Sequence, residues 1–437
     1  MNVLLILEDA LRPDHLGCGG YQKATSPVID SLAREGVVFR NAIATASHTL
    51  PPIVSLLMSQ WACTHGIVSP ARFQQWVASA RWRDRETPLK ILARKGFLVD
   101  GEMVMRWKPL GFTRDTDGRD ITGYFGRHRS EPWFFMAEPY PTHLPYNPPE
   151  EYFRMFLDPA WKGDERSEQR LRVVRSCLIV HPSGVTSKLE AGEDEALPDS
   201  QSDAAHRRTA GTVDLLPEDE PAIRALYDGE VRVFDDLVGT WVGRLEELGI
   251  LDETLIVITA DHGEELMERG YVGHCSCNLK GTLYDESIRV PLILRYPPGL
   301  PRGKVVEEQV SQVDLMPTIF ELLGLERPGF MEGGSLVPVL RGTAGTFRKE
   351  AFAETTPAGW QSLQGDDREI FCARTEAAKL ILKTDSSDRR REWEFYDLWA
   401  DPRERRNIYP DHPLLTACTA QLERYVNKAR QAGSTFA

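Results

Sequence analysis

The sequence predicts an α/β fold in which a mostly parallel central sheet is flanked by helices. Three short apolar runs indicate buried strands, namely "NVLLIL" at residues 2–7, "TLIVITA" at 254–260 and "VPLILRY" at 290–296. Segments with helical spacing lie between these runs, and strands that alternate with helices usually pair in parallel. In such sheets ligands bind beyond the carboxyl ends of the strands, where Asp9 and Asp261 follow the first two runs.

Helical spacing and composition predict how the chain is organised. The segment 26–36 opens with a Ser-Pro pair and closes with glycine, which are typical start and stop signals of a helix. The apolar spacing of 222–248 predicts a long helix that faces the core. We expect a catalytic α/β domain at 1–325, with a polar surface excursion at 163–212. A smaller C-terminal α+β subdomain is expected at 326–437.

Composition limits the partners of the protein. Its 437 residues carry a formal net charge of −13, which argues against a nucleic-acid partner but allows a small anionic substrate bound by local basic residues. The N-terminal apolar run is too short for a secretory signal, and no stretch is long enough for a membrane span. Seven scattered cysteines indicate reduced thiols and a cytoplasmic location. The pair Cys275 and Cys277 is only a weak metal-binding signal.

Two strand ends carry the residues of a possible cation site. Asp9 follows the first strand, with Glu8 beside it, and Asp261 and His262 follow the second. Carboxylate oxygens and one imidazole are suitable ligands for a divalent cation of the Mg, Mn, Ca or Zn kind. The alternative is that each acid is solvated or caps the next helix.

The stretch "SHTLPPIVSLLMS" at 47–59 presents Thr49 two positions before Pro51 and an apolar run. Threonine is a common residue at the start of a helix, so Thr49 is either a helix cap or a nucleophile. The stretch by itself does not distinguish these two roles.

Several segments, in order along nearly the whole chain, resemble the sulfatase family of the alkaline phosphatase superfamily. They are "NVLLILEDALRPDHLGCGGY", "EPYPTHLPYNPPEEY", "IVITADHGEE", "KGTLYDESIRVPLILRYP" and "FYDLWADPRERRNI". The resemblance implies an alkaline-phosphatase-like core and a metal-dependent ester hydrolase.

The resemblance places Thr49 at the nucleophile position, Pro51 at the family proline, and Ile53 where the family has arginine. The formylglycine of ordinary sulfatases is made from cysteine or serine, so Thr49 cannot become one. Threonine nucleophiles are typical of relatives that transfer phosphoryl groups, such as phosphodiesterases and phosphonate monoester hydrolases. The resemblance therefore implies a threonine nucleophile.

The family's metal ligands are carried over residue by residue. Asp9 matches the first acid of an Asp-Asp pair, whose second position is Ala10 here. With Thr49 Oγ1, Asp261 and His262, it forms the ligand set for one divalent metal ion of unresolved identity. Glu8 is a minor alternative to Asp9.

Two further residues match positions around the substrate in this family, and a third is expected beside them. His143 matches the histidine near the non-bridging oxygens or the leaving group, and Lys280 matches the lysine that contacts substrate oxygens. His274, in "GYVGH", is expected to be a neighbour in the same pocket.

We therefore expect hydrolysis of a small anionic phosphoester, with a phosphodiester or phosphonate monoester preferred because the arginine is missing. The alternatives are a sulfate ester hydrolase with an unmodified threonine, a phosphoryl transferase, or a non-catalytic family member. The sequence leaves homo-oligomer formation open.

Overall fold

A computed structural model describes residues 1–68, 78–79, 84–102, 104–183, 210–343, 347–357, 359 and 368–434. Within these residues the largest sheet has eight strands, and all of them except one run in the same direction. In spatial order the strands are Lys304–Ser311, Val37–Ile43, Arg289–Arg295, Thr254–Ala260, Asn2–Glu8, Trp133–Ala137, Leu98–Gly101 and Arg114–Asp115. Helices flank this sheet, which confirms the predicted fold class.

The strand Asn2–Glu8 is at the centre of the core. Every one of its residues is buried, and it pairs in parallel with Thr254–Ala260 on one side and Trp133–Ala137 on the other. Leu4 lies opposite both Ile256 and Phe135 in this register. Because each fully buried Leu or Ile side chain contributes about 1.5–3 kcal/mol, the strand is a rigid base for the residues that follow it.

The predicted third strand exists as Arg289–Arg295, and it is the one that runs antiparallel to both of its neighbours. The preceding loop stays at the edge of the sheet where Thr254–Ala260 ends, since Gly263 N donates to Ser287 O at 2.9 Å. The chain therefore re-enters the sheet from that edge, and an antiparallel return needs no crossover helix.

Seven strands of the sheet end at the same edge, and four of them lead into residues of the candidate site. These four are Asn2–Glu8, Val37–Ile43, Trp133–Ala137 and Thr254–Ala260. The segments that leave them contain, respectively, Asp9, Thr49, His143 and Asp261. This shared edge is the reason that residues far apart in sequence meet in one site.

The two predicted helices are present as Pro27–Glu35 and Glu220–Glu247. They are joined by Asp235, whose carboxylate accepts from Val28 N at 3.0 Å and from Ile29 N at 2.8 Å, so the long helix caps the short one. In the described part of the chain the other α-helices are Leu50–Met58, Ala62–His65, Pro88–Arg94, Ile121–Arg127, Glu150–Phe156, Glu165–Val174, Cys275–Asn278, Asp285–Ile288, Leu315–Leu322, Val337–Leu340 and Leu415–Ser434.

The predicted polar excursion at 163–212 is partly regular. It contains the helix Glu165–Val174 and the strand Ile179–His181, which pairs with Ala210–Thr212. The helix forms because Leu171 and Val174 are buried on one of its faces. Residues 184–209 of the excursion lie outside the described part of the chain.

The C-terminal region contains a second sheet, which is antiparallel and packs with the helix Leu415–Ser434. Its strands are Ala351–Thr355, Arg368–Arg374, Ala378–Asp385 and Arg391–Asp397. A buried lysine, Lys379, ties this sheet to the first domain because its Nζ lies 2.6 Å from Asp285 and 2.7 Å from Glu404. The division at residues 325 and 326 stays a prediction.

Candidate active site and metal centre

The two strand-end acids meet because their strands are paired in register. Glu8 lies opposite Ala260, so the next residues, Asp9 and Asp261, lie side by side at the edge of the sheet. Ala10 N donates to Asp261 Oδ1 at 3.2 Å, and the Ala10 backbone adopts a left-handed φ of 64°. This conformation costs an alanine about 1–2 kcal/mol, which the hydrogen bond helps to offset.

Asp9, Asp261 and His262 form a compact, buried group of ligand atoms. His262 Nε2 lies 3.5 Å from Asp9 Oδ1 and 3.4 Å from Asp261 Oδ2. His262 Nδ1 lies 2.8 Å from the carbonyl oxygen of Gly263, so the ring proton belongs on Nδ1 and the Nε2 lone pair faces the two acids. Three acceptor atoms thus converge on one point.

These three atoms have no hydrogen-bond donor among the described residues. Burial raises the pKa of Asp9 well above its usual range, and the charge of Asp261 adds to the increase. Burial likewise raises the pKa of Asp261 to about 7, and it lowers the pKa of His262 to about 3. Converging acceptors without a donor fit a divalent cation, which balances the buried negative charge.

Thr49 is the N-cap residue of the helix Leu50–Met58, but its side chain makes no capping hydrogen bond. Its Oγ1 instead donates to Asp9 Oδ2 at 3.4 Å. Thr49 is half-buried while the residues on either side of it are buried, and its hydroxyl lies beside the acidic group. Ile53, in the next turn of the helix, is buried in the apolar core.

His143 and His274 form a second group together with Cys277. The His274 ring lies against both other histidines, with centroid distances of 4.9 Å to His143 and 4.3 Å to His262. Burial lowers the pKa of both His143 and His274, so these imidazoles are neutral near pH 7. Because the His274 ring contacts both His143 and His262, the two groups of potential ligands are adjacent.

Glu8 faces away from the acidic group. Its Oε1 accepts from Thr142 N at 2.8 Å and lies 2.9 Å from Thr142 Oγ1. Glu8 therefore anchors the loop that carries His143. It is not part of the compact group of Asp9, Asp261 and His262, and the minor alternative of Glu8 as a ligand in place of Asp9 stays a prediction. Burial raises the pKa of Glu8 well above its usual range.

Lys280 follows the short helix Cys275–Asn278 and is half-buried. Its Nζ lies 5.8 Å from the centroid of the Tyr271 ring. No contact between Lys280 Nζ and either group of ligands is recorded in the described residues, so its role as a substrate contact stays a prediction.

Sequence reasoning missed Glu264, and it considered Cys277 only together with Cys275, as a weak metal-binding pair. Cys277 Sγ lies 3.7 Å from His143 Nε2 and 3.6 Å from His274 Nε2. Glu264 Oε1 lies 3.1 Å from His274 Nδ1. The spacing of His274 and Cys277, three positions apart at a helix start, was the available signal, because such residues share a face.

A family model described as "Sulfatase" matches residues 1–325, and one described as "N-sulphoglucosamine sulphohydrolase, C-terminal" matches residues 276–432. The first match covers well over half of the chain. The chain belongs to the sulfatase family. As predicted, it is thus a member of the alkaline phosphatase superfamily and an ester-hydrolysing enzyme.

Two curated relatives illustrate the range of this sulfatase family. The multifunctional alkaline phosphatase superfamily protein PehA of Trinickia caryophylli is 31% identical over 98% of this chain and 94% of its own. The N-acetylglucosamine-6-O-sulfatase of Bacteroides thetaiotaomicron is 24% identical over 93% of this chain and 82% of its own.

Among solved structures, the phosphonate monoester hydrolase of Agrobacterium radiobacter has the same fold, with a TM-score of 0.70 and 24% identity. The match covers 99% of this chain and 96% of that one. Members of the sulfatase family are metal-dependent, and the two groups of ligand atoms agree with that property. Among the described helices, none has both the length and the apolar character needed to cross a membrane.

Proposed function

We propose that this sulfatase-family enzyme hydrolyses a phosphoester, with a phosphodiester or a phosphonate monoester preferred, through Thr49 as the nucleophile. The observation that carries the proposal is the free Thr49 hydroxyl, which does not cap its helix and points to Asp9 Oδ2 at 3.4 Å. The likeness to a multifunctional alkaline phosphatase superfamily protein and to a phosphonate monoester hydrolase supports the phosphoryl class.

Asp9, Asp261 and His262, with Thr49 Oγ1, are the residues that would hold one divalent cation. When bound, such a cation supplies the charge that lowers the pKa of a coordinated hydroxyl and neutralises an ester oxygen. Asp9 Oδ2 is the nearest acceptor for the Thr49 proton. Thr49 Oγ1 attacks phosphorus, the phosphorus–oxygen bond to the leaving group breaks, and a phosphothreonine ester forms.

The helix Leu50–Met58 assists this step. Thr49 lies at its N-terminus, where the partial positive charge of the helix stabilises negative charge that develops on the threonine oxygen. Water then attacks the phosphothreonine and regenerates the hydroxyl. A transferase would differ only in using an alcohol in place of water, and it remains an alternative within the same mechanism.

The charge of the pocket supports a substrate with a single negative charge. The family arginine is replaced by Ile53, which is buried in the core, and the lowered pKa values keep His143 and His274 neutral. Lys280 is the basic residue that we propose meets the non-bridging oxygens. A phosphate monoester dianion would be less well neutralised than a diester.

Sulfate ester hydrolysis is the second candidate, and two observations favour it. The C-terminal match to the N-sulphoglucosamine sulphohydrolase model and the likeness to an N-acetylglucosamine-6-O-sulfatase both point to sulfate esters. Unmodified Thr49 would then form a threonine sulfate. That ester lacks the easy elimination available to a formylglycine hydrate, which is why we rank this candidate second.

We also propose that the enzyme acts in the cytoplasm on a small anionic ester, without nucleic-acid or membrane partners. The net charge of −13 and the free state of all seven cysteines support this proposal.

The test is a panel of four aryl esters: a phosphodiester, a phosphonate monoester, a phosphate monoester and a sulfate. Wild type and Thr49→Ala are assayed with added Mn²⁺, and the intact mass of the wild type is recorded after acid quenching. We expect turnover of the diester and phosphonate, a mass increase on Thr49, and loss of both in Thr49→Ala. A preference for the phosphate monoester would contradict the charge argument. Sulfate release without any phosphoester turnover would favour sulfate ester hydrolysis, the second candidate. Equal turnover by wild type and Thr49→Ala would exclude Thr49 as the nucleophile.

A further inference from the structure

His143, His274 and Cys277 converge from two separate parts of the chain. His143 lies on the loop after the strand Trp133–Ala137, whereas His274 is the N-cap of the short helix Cys275–Asn278 and Cys277 lies within that helix. Their ligand atoms all lie within 4.8 Å of one another, and His274 and Cys277 are almost fully buried. This group is separate from the acidic group of Asp9, Asp261 and His262, which the family resemblance had already assigned.

The hydrogen bonds of both rings direct their lone pairs towards the thiol. His143 Nδ1 lies 2.6 Å from the carbonyl oxygen of Leu144, and His274 Nδ1 lies 3.1 Å from Glu264 Oε1. Both Nδ1 atoms are therefore donors, and both Nε2 atoms are left as acceptors. A histidine that binds zinc commonly donates its other ring N–H to a carboxylate. This hydrogen bond fixes the tautomer and makes the ligand nitrogen more basic.

The distances fit a metal ion better than a thiol hydrogen bond. In a tetrahedral zinc site, bond lengths of about 2.05 Å to nitrogen and 2.3 Å to sulfur place these atoms about 3.6 Å apart. The observed separations of Cys277 Sγ are 3.6 Å from His274 Nε2 and 3.7 Å from His143 Nε2. The single thiol proton of Cys277 can form a hydrogen bond with only one of the two Nε2 atoms, whereas a metal ion can bind both.

We propose that His143, His274 and Cys277 form a second metal site that selects Zn²⁺. Two imidazoles and one thiolate favour zinc, while Mg²⁺, Ca²⁺ and Mn²⁺ prefer oxygen ligands. Three protein ligands leave the fourth position open to water or substrate, as in catalytic zinc sites. Cys277 binds as the thiolate and releases its proton to solvent.

The position of the site gives it a role beside the first cation. The His274 ring packs 4.3 Å from the ring of His262, a member of the acidic group. A cation on His143 and His274 would therefore lie next to a cation held by Asp9, Asp261 and His262. The sequence predicted one metal ion, and this site adds a second. Its existence does not depend on which ester is hydrolysed.

The test is metal binding to the full chain, measured without substrate. Apoprotein is loaded with Zn²⁺, desalted and analysed, and a second sample is titrated with Co²⁺ while its absorption spectrum is recorded. We expect about two zinc ions per chain and a thiolate-to-cobalt charge-transfer band in the near ultraviolet, because both groups of ligands bind. Cys277→Ala should retain about one ion per chain and lose the band.

Cys275→Ala is the matched control, because Cys275 is buried on the same short helix but its Sγ lies 3.1 Å from Ser47 O instead of facing the histidines. It should keep both ions and the band. One zinc ion in the wild type without a thiolate–cobalt band would overturn the proposal, as would two ions in Cys277→Ala. The wild-type spectrum decides the question even if a variant fails to fold, and failure of the ester panel leaves it unchanged.

Discussion

Thr49 Oγ1 lies 3.4 Å from Asp9 Oδ2, although the strands that precede these residues are separated by two others in the sheet. The contact forms because Val37–Ile43 and Asn2–Glu8 run in the same direction and end at the same edge. Thr49, which its own stretch of sequence left open as a helix cap or a nucleophile, thereby lies beside the acidic group.

The first prediction compares two threonines that both occupy N-cap positions. Thr87 caps the helix Pro88–Arg94, since its side chain accepts from Lys90 N at 3.1 Å, whereas Thr49 makes no such bond. Thr87→Ala should lower the free energy of unfolding by about 1–2 kcal/mol and leave kcat unchanged. Thr49→Ala should lower kcat by roughly 10³-fold or more and change the free energy of unfolding by less than about 0.5 kcal/mol.

Urea unfolding and steady-state kinetics on the same preparations measure both quantities. A Thr49→Ala protein that is active but less stable would show that Thr49 is a helix cap.

The second prediction concerns metal removal and pH. The pKa of Asp261 is raised to about 7 in the fold, from an ordinary value near 4, so the folded metal-free protein binds more protons than the unfolded chain between these values. Its stability should fall as pH rises from about 4 to about 7, by roughly 1.4 kcal/mol per pH unit for one proton. A bound cation favours the ionised carboxylate and should remove this loss.

Unfolding in urea at pH 5 and pH 7.5, with chelator or with Mn²⁺, measures the effect. The stabilisation by metal should be larger at pH 7.5, and Asp261→Asn should weaken the pH dependence of the chelated protein. Equal stabilisation at both pH values would show that Asp261 does not carry the buried charge.

The third prediction concerns Glu8, which positions the loop of His143 without facing the acidic group. Glu8→Ala leaves the buried Thr142 N without its acceptor, and we expect a loss of about 1–3 kcal/mol in the free energy of unfolding. Glu8→Gln keeps an acceptor oxygen, and the raised pKa of Glu8 makes the neutral amide a close replacement, so its effect should be smaller. If both variants lose the same stability, the charge of Glu8 and not its hydrogen bond holds the loop.

The fourth prediction tests Lys280 as a substrate contact. Lys280→Ala should lower kcat/KM for an anionic aryl ester by roughly 10- to 100-fold, which corresponds to the loss of one charged hydrogen bond. Lys95→Ala, at an exposed lysine that ends the helix Pro88–Arg94, is the control for a simple change in net charge. Equal effects of the two variants on kcat/KM would remove Lys280 from the substrate site.

Much of the fold followed from local patterns in the sequence. Continuous apolar runs predicted buried strands such as Asn2–Glu8. The polar residues that follow these runs indicated the edge of the sheet where Asp9 and Asp261 lie. The direction of Arg289–Arg295 was not predictable, because an apolar run has the same composition whether its strand is parallel or antiparallel. The helix Glu165–Val174 was missed because its few apolar residues lie in a strongly polar segment.

By itself, the sequence determined the fold class and the family, and it singled out Asp9, Thr49, Asp261 and His262 as candidate site residues, because each is read from a short segment. Only the tertiary structure decided what those residues face. It showed that the Thr49 side chain points to Asp9, that Glu8 turns to Thr142, and that Cys277 meets two histidines. The direction of a side chain depends on strand register and on the contacts that hold each loop at the edge of the sheet. Both are set by residues far apart in sequence, so no local stretch of the chain predicts them.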